Sequence, residues 1–398
     1  MPDAVLHVLA TILLLAVALP VVATTAYLFA LTLLSGANPA PLPAQRKLRF
    51  DIVVPAHNEE QVIERVVRAL LQIDWPKDCY RVLVVADNCT DRTAELARAL
   101  GATVLERSNN LLRSKGHALK YAFDHSAAEA RADAVVVIDA DSEASANLLA
   151  AFAARIEQGE HAIQAHYGIL NTQTTWRTRL MTIATAAFHI VRSRARERLR
   201  LSCGIRGNGW CLTHELLRRV PYACYSLTED LEFGGVLGIA GCRVAYADEA
   251  HADAEMTSSA EVAGGQRQRW ESGRFELVRQ QLPLLLAAAS TQRSRVCFDL
   301  ALDLLTLPLT YVALGVSLLG LLALLGAAAG LVSAGWLWVA GASLLMLALH
   351  VARGWQLSGV GARGLLDLLR VPGFVAWRLL VALRPKPRAW VRTDREKP

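Results

Sequence analysis

The residues with the clearest chemical potential are two carboxylates, Asp139 and Asp141, which end the apolar run DAVVVIDADS at Asp133 to Ser142 with one alanine between them. The stretch from Ala134 to Ile138 is rich in β-branched residues and short enough for a buried parallel strand. Its acids would then emerge at the strand's carboxyl end, where open α/β sheets bind ligands. Carboxylates this close repel each other. A divalent cation carrying a diphosphate relieves that repulsion, because hard ions such as Mg²⁺ are usually held by one or two carboxylates together with substrate phosphates. A solvated strand end would show the same pair without chemistry, so the surrounding sequence has to decide. Asp87 ends an earlier apolar run, YRVLVVAD, and on the same sheet it would face the same crevice; a turn or capping residue is the competing reading.

The elements that would position these acids are legible from Phe50 onward. FDIVVPA reads as a strand, and Val62, Ile63, Val66, Val67, Leu70 and Leu71 mark one face of a helix. RVLVVAD is a second strand, DRTAELARALG a helix stopped at Gly101, ATVLER a third strand, KGHALKYAFD a helix and DAVVVIDAD a fourth strand. This βαβαβαβ order predicts an α/β fold with a largely parallel sheet and helices on both faces. A dinucleotide-binding unit of the same order needs a glycine-rich turn after the first strand. Here that turn is PAHNEEQ, without glycine.

Taken in order, VVPAHNEE, ADNCTD, SKGHAL, IDADS, TEDLE at Thr228 to Glu232 and QRQRW at Gln266 to Trp270 resemble glycosyltransferase family 2 with the GT-A fold, in the membrane-bound branch of cellulose, chitin and hyaluronan synthases. The resemblance covers roughly Phe50 to Leu282 and extends to flanking membrane helices. It implies a nucleotide-sugar donor bound by Asp87, Lys115, Asp139, Gln266 and Arg269, and Mg²⁺ or Mn²⁺ on Asp139 and Asp141. It also implies Asp230 as catalytic base and an acceptor beside Trp270 and Glu229. Chemically, inverting transfer needs one carboxylate to deprotonate the acceptor hydroxyl and positive charge at the leaving diphosphate. Taken alone, TEDLE also reads as a helix start capped by Thr228, and QRQRW as a surface helix. Gly204, Gly207 and Gly209 around Asn208 suggest a tight loop that admits a sugar. The arginine-flanked stretch Trp176 to Arg200 reads equally as an interfacial helix, an acceptor cradle or a solvated basic face.

Hydrophobic residues make up 53% of the 398, and the mean hydropathy of +0.29 points to membrane segments. Ala4 to Leu34 is long enough to span a bilayer and lacks the basic start and short apolar core of a signal peptide. Leu300 to Leu325 and Leu331 to Val351 read as two further spans, Gln281 to Ala289 as an interfacial stretch, and Leu365 to Leu383, broken by arginines and proline, as an interface helix. The expected organisation is an anchor at 1–36, a linker at 37–49, a GT-A domain at 50–282, two spans at 283–352 and a basic tail at 353–398. From Ala352 onward the chain carries +7 and the rest carries −1. Basic residues after the first span and after the last place the catalytic domain in the cytosol, at the plasma membrane, with membrane lipids as partners. No nucleic-acid signature accompanies the basicity. Seven scattered cysteines fit reduced thiols. The expected reaction adds sugars from a UDP-linked donor to a growing glycan, with export or synthase subunits as further partners. Transfer of a single sugar to a lipid, and a silent nucleotide-sugar-binding subunit of an export complex, remain as alternatives.

Overall fold

The computed structural model describes residues 2–256 and 260–373, with the side chains of 4–256 and 273–373. It divides into two compact units, one built from residues up to Gly36, Arg179–Ala195 and residues from Leu305, the other from Ala37–Thr178 and Arg196–Leu304. In chain order, α1 (Pro2–Leu33) is followed by β1 (Phe50–Ala56), α2 (Ile63–Leu70), β2 (Tyr80–Asp87), α3 (Thr93–Ala99), β3 (Thr103–Arg107), α4 (Lys115–Glu129) and β4 (Ala134–Val137), the expected alternation. Next come β5 (Ser142–Ala144), α5 (Leu148–Ile156), β6 (Ala162–Ile169) and α6 (Trp176–Ala186), which runs through a π-helical turn (Ala187–Val191) into α7 (Arg192–Arg198). β7 (Trp210–Thr213), α8 (His214–Arg219), α9 (Glu229–Ile239), β8 (Ala245–Ala254) and α10 (Ala260–Thr291) follow. α11 (Arg295–Leu305), α12 (Leu309–Ala328), α13 (Gly335–Ser358), α14 (Gly361–Asp367) and a 3-10 turn (Leu368–Arg370) end the described chain.

The eight strands form one sheet in the order β3-β2-β1-β4-β7-β6-β8-β5. β1, β2, β3 and β4 are mutually parallel, whereas β7 runs antiparallel between β4 and β6. Strand alternation fills a core on each face. Ile52, Val54, Val82, Val84, Val136 and Ile138 enter one cluster, while Val53, Leu83, Val85, Val135 and Val137 enter the other, as expected of parallel strands covered on both sides. Each such buried Val, Leu or Ile contributes about 1.5–3 kcal/mol relative to exposure. At the amino end of β1 the buried Asp51 carboxylate takes two hydrogen bonds from Arg81, at 2.7 and 2.9 Å. At the carboxyl end the pairing of β1 with β4 stops at Val53 and Val137, and there Asp87 and Asp139 lie.

In the other unit, Leu14, Ala18 and Val21 of α1 pack with Val312, Val316, Leu319 and Ala323 of α12 and with Ala340 and Leu347 of α13. At one end His7 Nδ1 lies 2.8 Å from the Leu331 carbonyl oxygen. At the other, Thr32 Oγ1 meets His350 Nδ1 at 2.8 Å and Arg353 donates to Ser35 Oγ at 3.0 Å. α1 and α13 therefore run parallel, with α12 antiparallel to both. Ala4–Leu33, Leu309–Ala328 and Gly335–Ser358 are each long and apolar enough to cross a membrane.

The helix boundaries here differ from the sequence reading. The stretch expected as a span from Leu300 is interrupted before Pro308, because the residue preceding a proline is driven out of the α region. α11 is thereby separated from α12. Gln281 to Ala289 continues α10. The interface helix expected to reach Leu383 is described only as far as residue 373, where α14 and the 3-10 turn occupy its start; the remainder lies outside the described residues.

Candidate active site

Asp139 lies two residues past the end of β4, and its geometry is set by the loop that leads into β7. Asn208, fully buried in that loop, accepts the Asp139 backbone N–H through Oδ1 at 3.0 Å and donates from Nδ2 to Ser142 Oγ at 2.9 Å. Ser142 Oγ in turn donates to Asp141 Oδ1 at 3.2 Å. One side chain thus fixes both members of the carboxylate pair. Gly204, Gly207 and Gly209 have φ of +72°, +82° and +69°, values that disfavour any residue with a Cβ. A Cβ on Gly209 would also lie 2.7 Å from that of Ala252.

Lys115 enters from the amino terminus of α4, whose first turn is capped by Ser114 Oγ accepting the His117 N–H at 3.3 Å. Its ammonium donates to Asp139 Oδ1 at 2.6 Å and to the Gly207 carbonyl at 2.9 Å, and lies 3.9 Å from Glu229 Oε1. α4 reaches this position because residue 116 is glycine: a Cβ there would sit 2.1 Å from the Cys224 carbonyl oxygen.

Glu229 and Asp230 occupy the first turn of α9, where acids suit the helix dipole. Thr228 precedes them as expected, but its hydroxyl makes no capping bond to the helix. Asp230 Oδ2 lies 3.5 Å from the position a Cβ would take on Gly207, so the glycine loop touches the carboxylate pair, Lys115 and Asp230 together. Burial pushes the pKa of Asp139, Asp230 and Glu229 upward, Glu229 to about 8, against the opposing pull of Lys115. Burial alone would lower Lys115, but the Asp139 and Glu229 charges outweigh it and hold its pKa above the ordinary value. Tyr167 on β6 reaches the same loop, its Cε1 lying 3.9 Å from the position a Cβ would take on Gly207, and burial followed by Asp141 and Asp139 raises its pKa.

Asp87 closes β2 near a second polar group. Its carboxylate takes a 2.5 Å bond from Arg107 and a 3.1 Å bond from Asn88 Nδ2, and His57 Nδ1 donates to its carbonyl at 2.7 Å. Nearby, His117 stacks on Tyr225 with ring centroids 4.1 Å apart. Gln266, Arg269 and Trp270 fall on the backbone of α10, with side chains outside the described residues. Further along α10, a Cβ on Gly273 would come within 2.7 Å of Thr228 Cγ2, so this helix packs against the residue before Glu229.

The glycine loop is anchored from behind by ion pairs. Arg206 donates to Asp303 at 2.9 Å, and the fully buried Arg196 meets Asp299 and Asp303, each at 2.7 Å. Burial, followed by Arg196, pushes the Arg206 guanidinium down to about 9. Arg196 therefore does not belong to a solvated basic face, one of the three readings of its stretch: it is internal because two aspartates of α11 neutralise it. Asn208, Ser142, Arg107 and Tyr167 were not singled out as contacts by the sequence. The glycine spacing around Asn208 was a signal for that residue; Ser142, Arg107 and Tyr167 carried none.

A profile described as glycosyltransferase like family 2 matches residues 48–273, more than half of the chain. The chain belongs to this family. It is 25% identical over 261 residues to the probable glycosyltransferase YdaM of Bacillus subtilis, a match covering 63% of the chain and 60% of that protein. It is 26% identical over 238 residues to a beta-monoglucosyldiacylglycerol synthase of Synechocystis sp., covering 56% of the chain and 47% of that enzyme. The chain thus spans less than two-thirds of the length of these curated relatives. Its fold is similar to that of the mannosyltransferase PcManGT of Pyrobaculum calidifontis, solved with GDP-Man and Mn²⁺, with a TM-score of 0.53 at 17% identity over 92% of this chain and 99% of that one. The fold is GT-A, with three candidate membrane helices.

Proposed function

We propose that this glycosyltransferase moves a sugar, with inversion, from a nucleotide-diphosphate donor to a growing glycan at the cytosolic face of a membrane. The observation that carries the reading is the convergence of Asp139, Asp141, Lys115 and Asp230 on the loop from Gly204 to Gly209. Asp87, with Arg107 beside it, would take the nucleotide, supported by its place at the same carboxyl end of the sheet. Gln266 and Arg269 are proposed for the donor, and Trp270 and Glu229 for the acceptor.

Asp139 and Asp141 suit a divalent ion, Mg²⁺ or Mn²⁺. They offer hard oxygen donors, and burying Asp139 beside Asp141 has a cost that a cation offsets. No cluster of three or more ligating side chains occurs among the described residues, which fits an ion completed by diphosphate and water. When bound, the ion neutralises charge on the departing diphosphate. Lys115 orients Asp139 and can itself meet a phosphate. Asp230 accepts the proton of the acceptor hydroxyl, and burial makes it a stronger base than an exposed aspartate.

Transfer of a single sugar to a lipid is the second reading. It is favoured by the small number of membrane-length helices, three among the described residues, and by the lipid named in the Synechocystis relative. Release and transfer assays on the purified protein, with a panel of nucleotide sugars and both glycan and lipid acceptors, decide between them. The proposed reading expects one donor to be consumed, with loss of turnover in excess EDTA. Full turnover in EDTA would remove the metal assignment, and consumption of no donor would favour the silent binding subunit.

A further inference from the structure

Away from the active site, a groove of about 540 Å³ lies between the end of α10, the start of α11 and Leu201. The two helices are joined through Leu285 and Ala288 packed on Cys297, Leu300 and Ala301. That packing turns the other faces outward and leaves Leu284, Leu286 and Phe298 57%, 45% and 54% exposed. Leu201, Leu286, Ala289, Phe298 and Leu302 make the groove wall apolar. Its rim carries Arg293 and Arg295, both exposed and with no ion pair among the described residues, and the hydroxyls of Ser290 and Ser294.

Charge selects the occupant. Asp299, which also lines the groove, and Asp303 are the only acids between Gln281 and Pro308; both are buried and bound by Arg196 and Arg206, so the exposed charges of this stretch are the two arginines. An apolar slot with two cations and two hydroxyls at its mouth complements one anionic amphiphile, an acyl chain with a phosphate at its end. Its volume is in the range of sites that hold a small ligand. The chain runs from this groove through α11, which ends at Leu305, into the membrane-length α12 that starts at Leu309.

We infer that this groove binds an anionic glycerophospholipid, with the acyl chain against Leu286 and Phe298 and the phosphate on Arg293 and Arg295. The site lies outside the residues assigned to transfer and rests only on the chain being a membrane protein. Its readout is therefore independent of which donor or acceptor the enzyme uses.

The test uses the full chain in zwitterionic nanodiscs doped with a photoactivatable phospholipid bearing either a phosphatidylglycerol or a phosphatidylcholine headgroup, with adducts located by peptide mass spectrometry. Each arginine near a membrane surface favours anionic lipid by roughly fivefold, so labelling of the 286–302 stretch should be at least about tenfold greater with the anionic probe. In the double variant R293Q/R295Q that preference should fall close to one, while adducts on α12 in the same sample stay unchanged and report a folded, inserted protein. A second variant, Phe298→Asp, should reduce labelling with both probes. Equal labelling by the two headgroups, or an anionic preference that survives R293Q/R295Q, overturns the proposal.

Discussion

At the scale of single residues, the site separates groups that react from groups that aim them. If Asp230 is the base, Asp230→Asn keeps shape and polarity but removes the proton acceptor. Transfer should then fall by at least about 10²-fold, with nucleotide affinity changed only severalfold, since Asp87, Asp139 and Asp141 remain. Titration calorimetry with the nucleotide checks the second half, and lost binding would recast Asp230 as part of the donor pocket. Asn208 is of the second kind. Asn208→Ala strands the Asp139 N–H and removes the donor to Ser142 Oγ, so it should cost about 1–3 kcal/mol of stability. It should also weaken Mn²⁺ binding read by electron paramagnetic resonance, whereas Ser142→Ala, which removes one bond to Asp141 and one from Asn208 but keeps the Asp139 N–H held, should do so less. Unchanged Mn²⁺ affinity in Asn208→Ala would make the asparagine purely structural. The acids were legible because each ends an apolar run or sits in a recognisable string; Asn208 was not, since its partners lie 66 and 69 residues away.

At the scale of elements, the first half of the sheet follows from its sequence, because β1, β2 and β4 are continuous β-branched runs buried on both faces. The second half was hidden. β8 reads AYADEAHADA, where small alanines fill the core and acids alternate with them, and β7 has only four residues. Neither shows a hydrophobic period strong enough to register. The break ahead of α12 was likewise missed, although Pro308 marks it. Close approach is a further property that sequence does not display, and Gly116 tests it. Alanine is favoured over glycine inside a helix by about 1 kcal/mol. The clash of its Cβ with the Cys224 carbonyl, at 2.1 Å, is an overpacking expected to cost about 1–3 kcal/mol. Gly116→Ala should therefore destabilise in a denaturant titration and, by displacing Lys115, lower transfer. A more stable variant with full activity would mean that α4 does not need this contact.

At the scale of the whole molecule, orientation in the membrane follows from charge and from the contacts within the helical unit. His7 beside Leu331 puts the amino end of α1 and the turn between α12 and α13 at the same end, and that turn, Ala329 to Ala334, carries no charge. The opposite end has Arg353 on Ser35, and Arg46, Lys47 and Arg49 follow α1 in sequence. The positive-inside rule then predicts that the first end is outside and the second is cytosolic. All seven cysteines lie between Cys79 and Cys297, in the catalytic unit, and Cys79, Cys89 and Cys242 are partly exposed there. This provides a test with the unaltered protein. In intact cells a membrane-impermeant maleimide should leave it unlabelled, and permeabilisation should expose those thiols. Ser333→Cys should become labelled in intact cells, and Gln45→Cys should not. Labelling of the native thiols from outside would invert the topology and place the donor site where cytosolic nucleotide sugars cannot reach it, so this measurement bears on orientation and on donor supply at once.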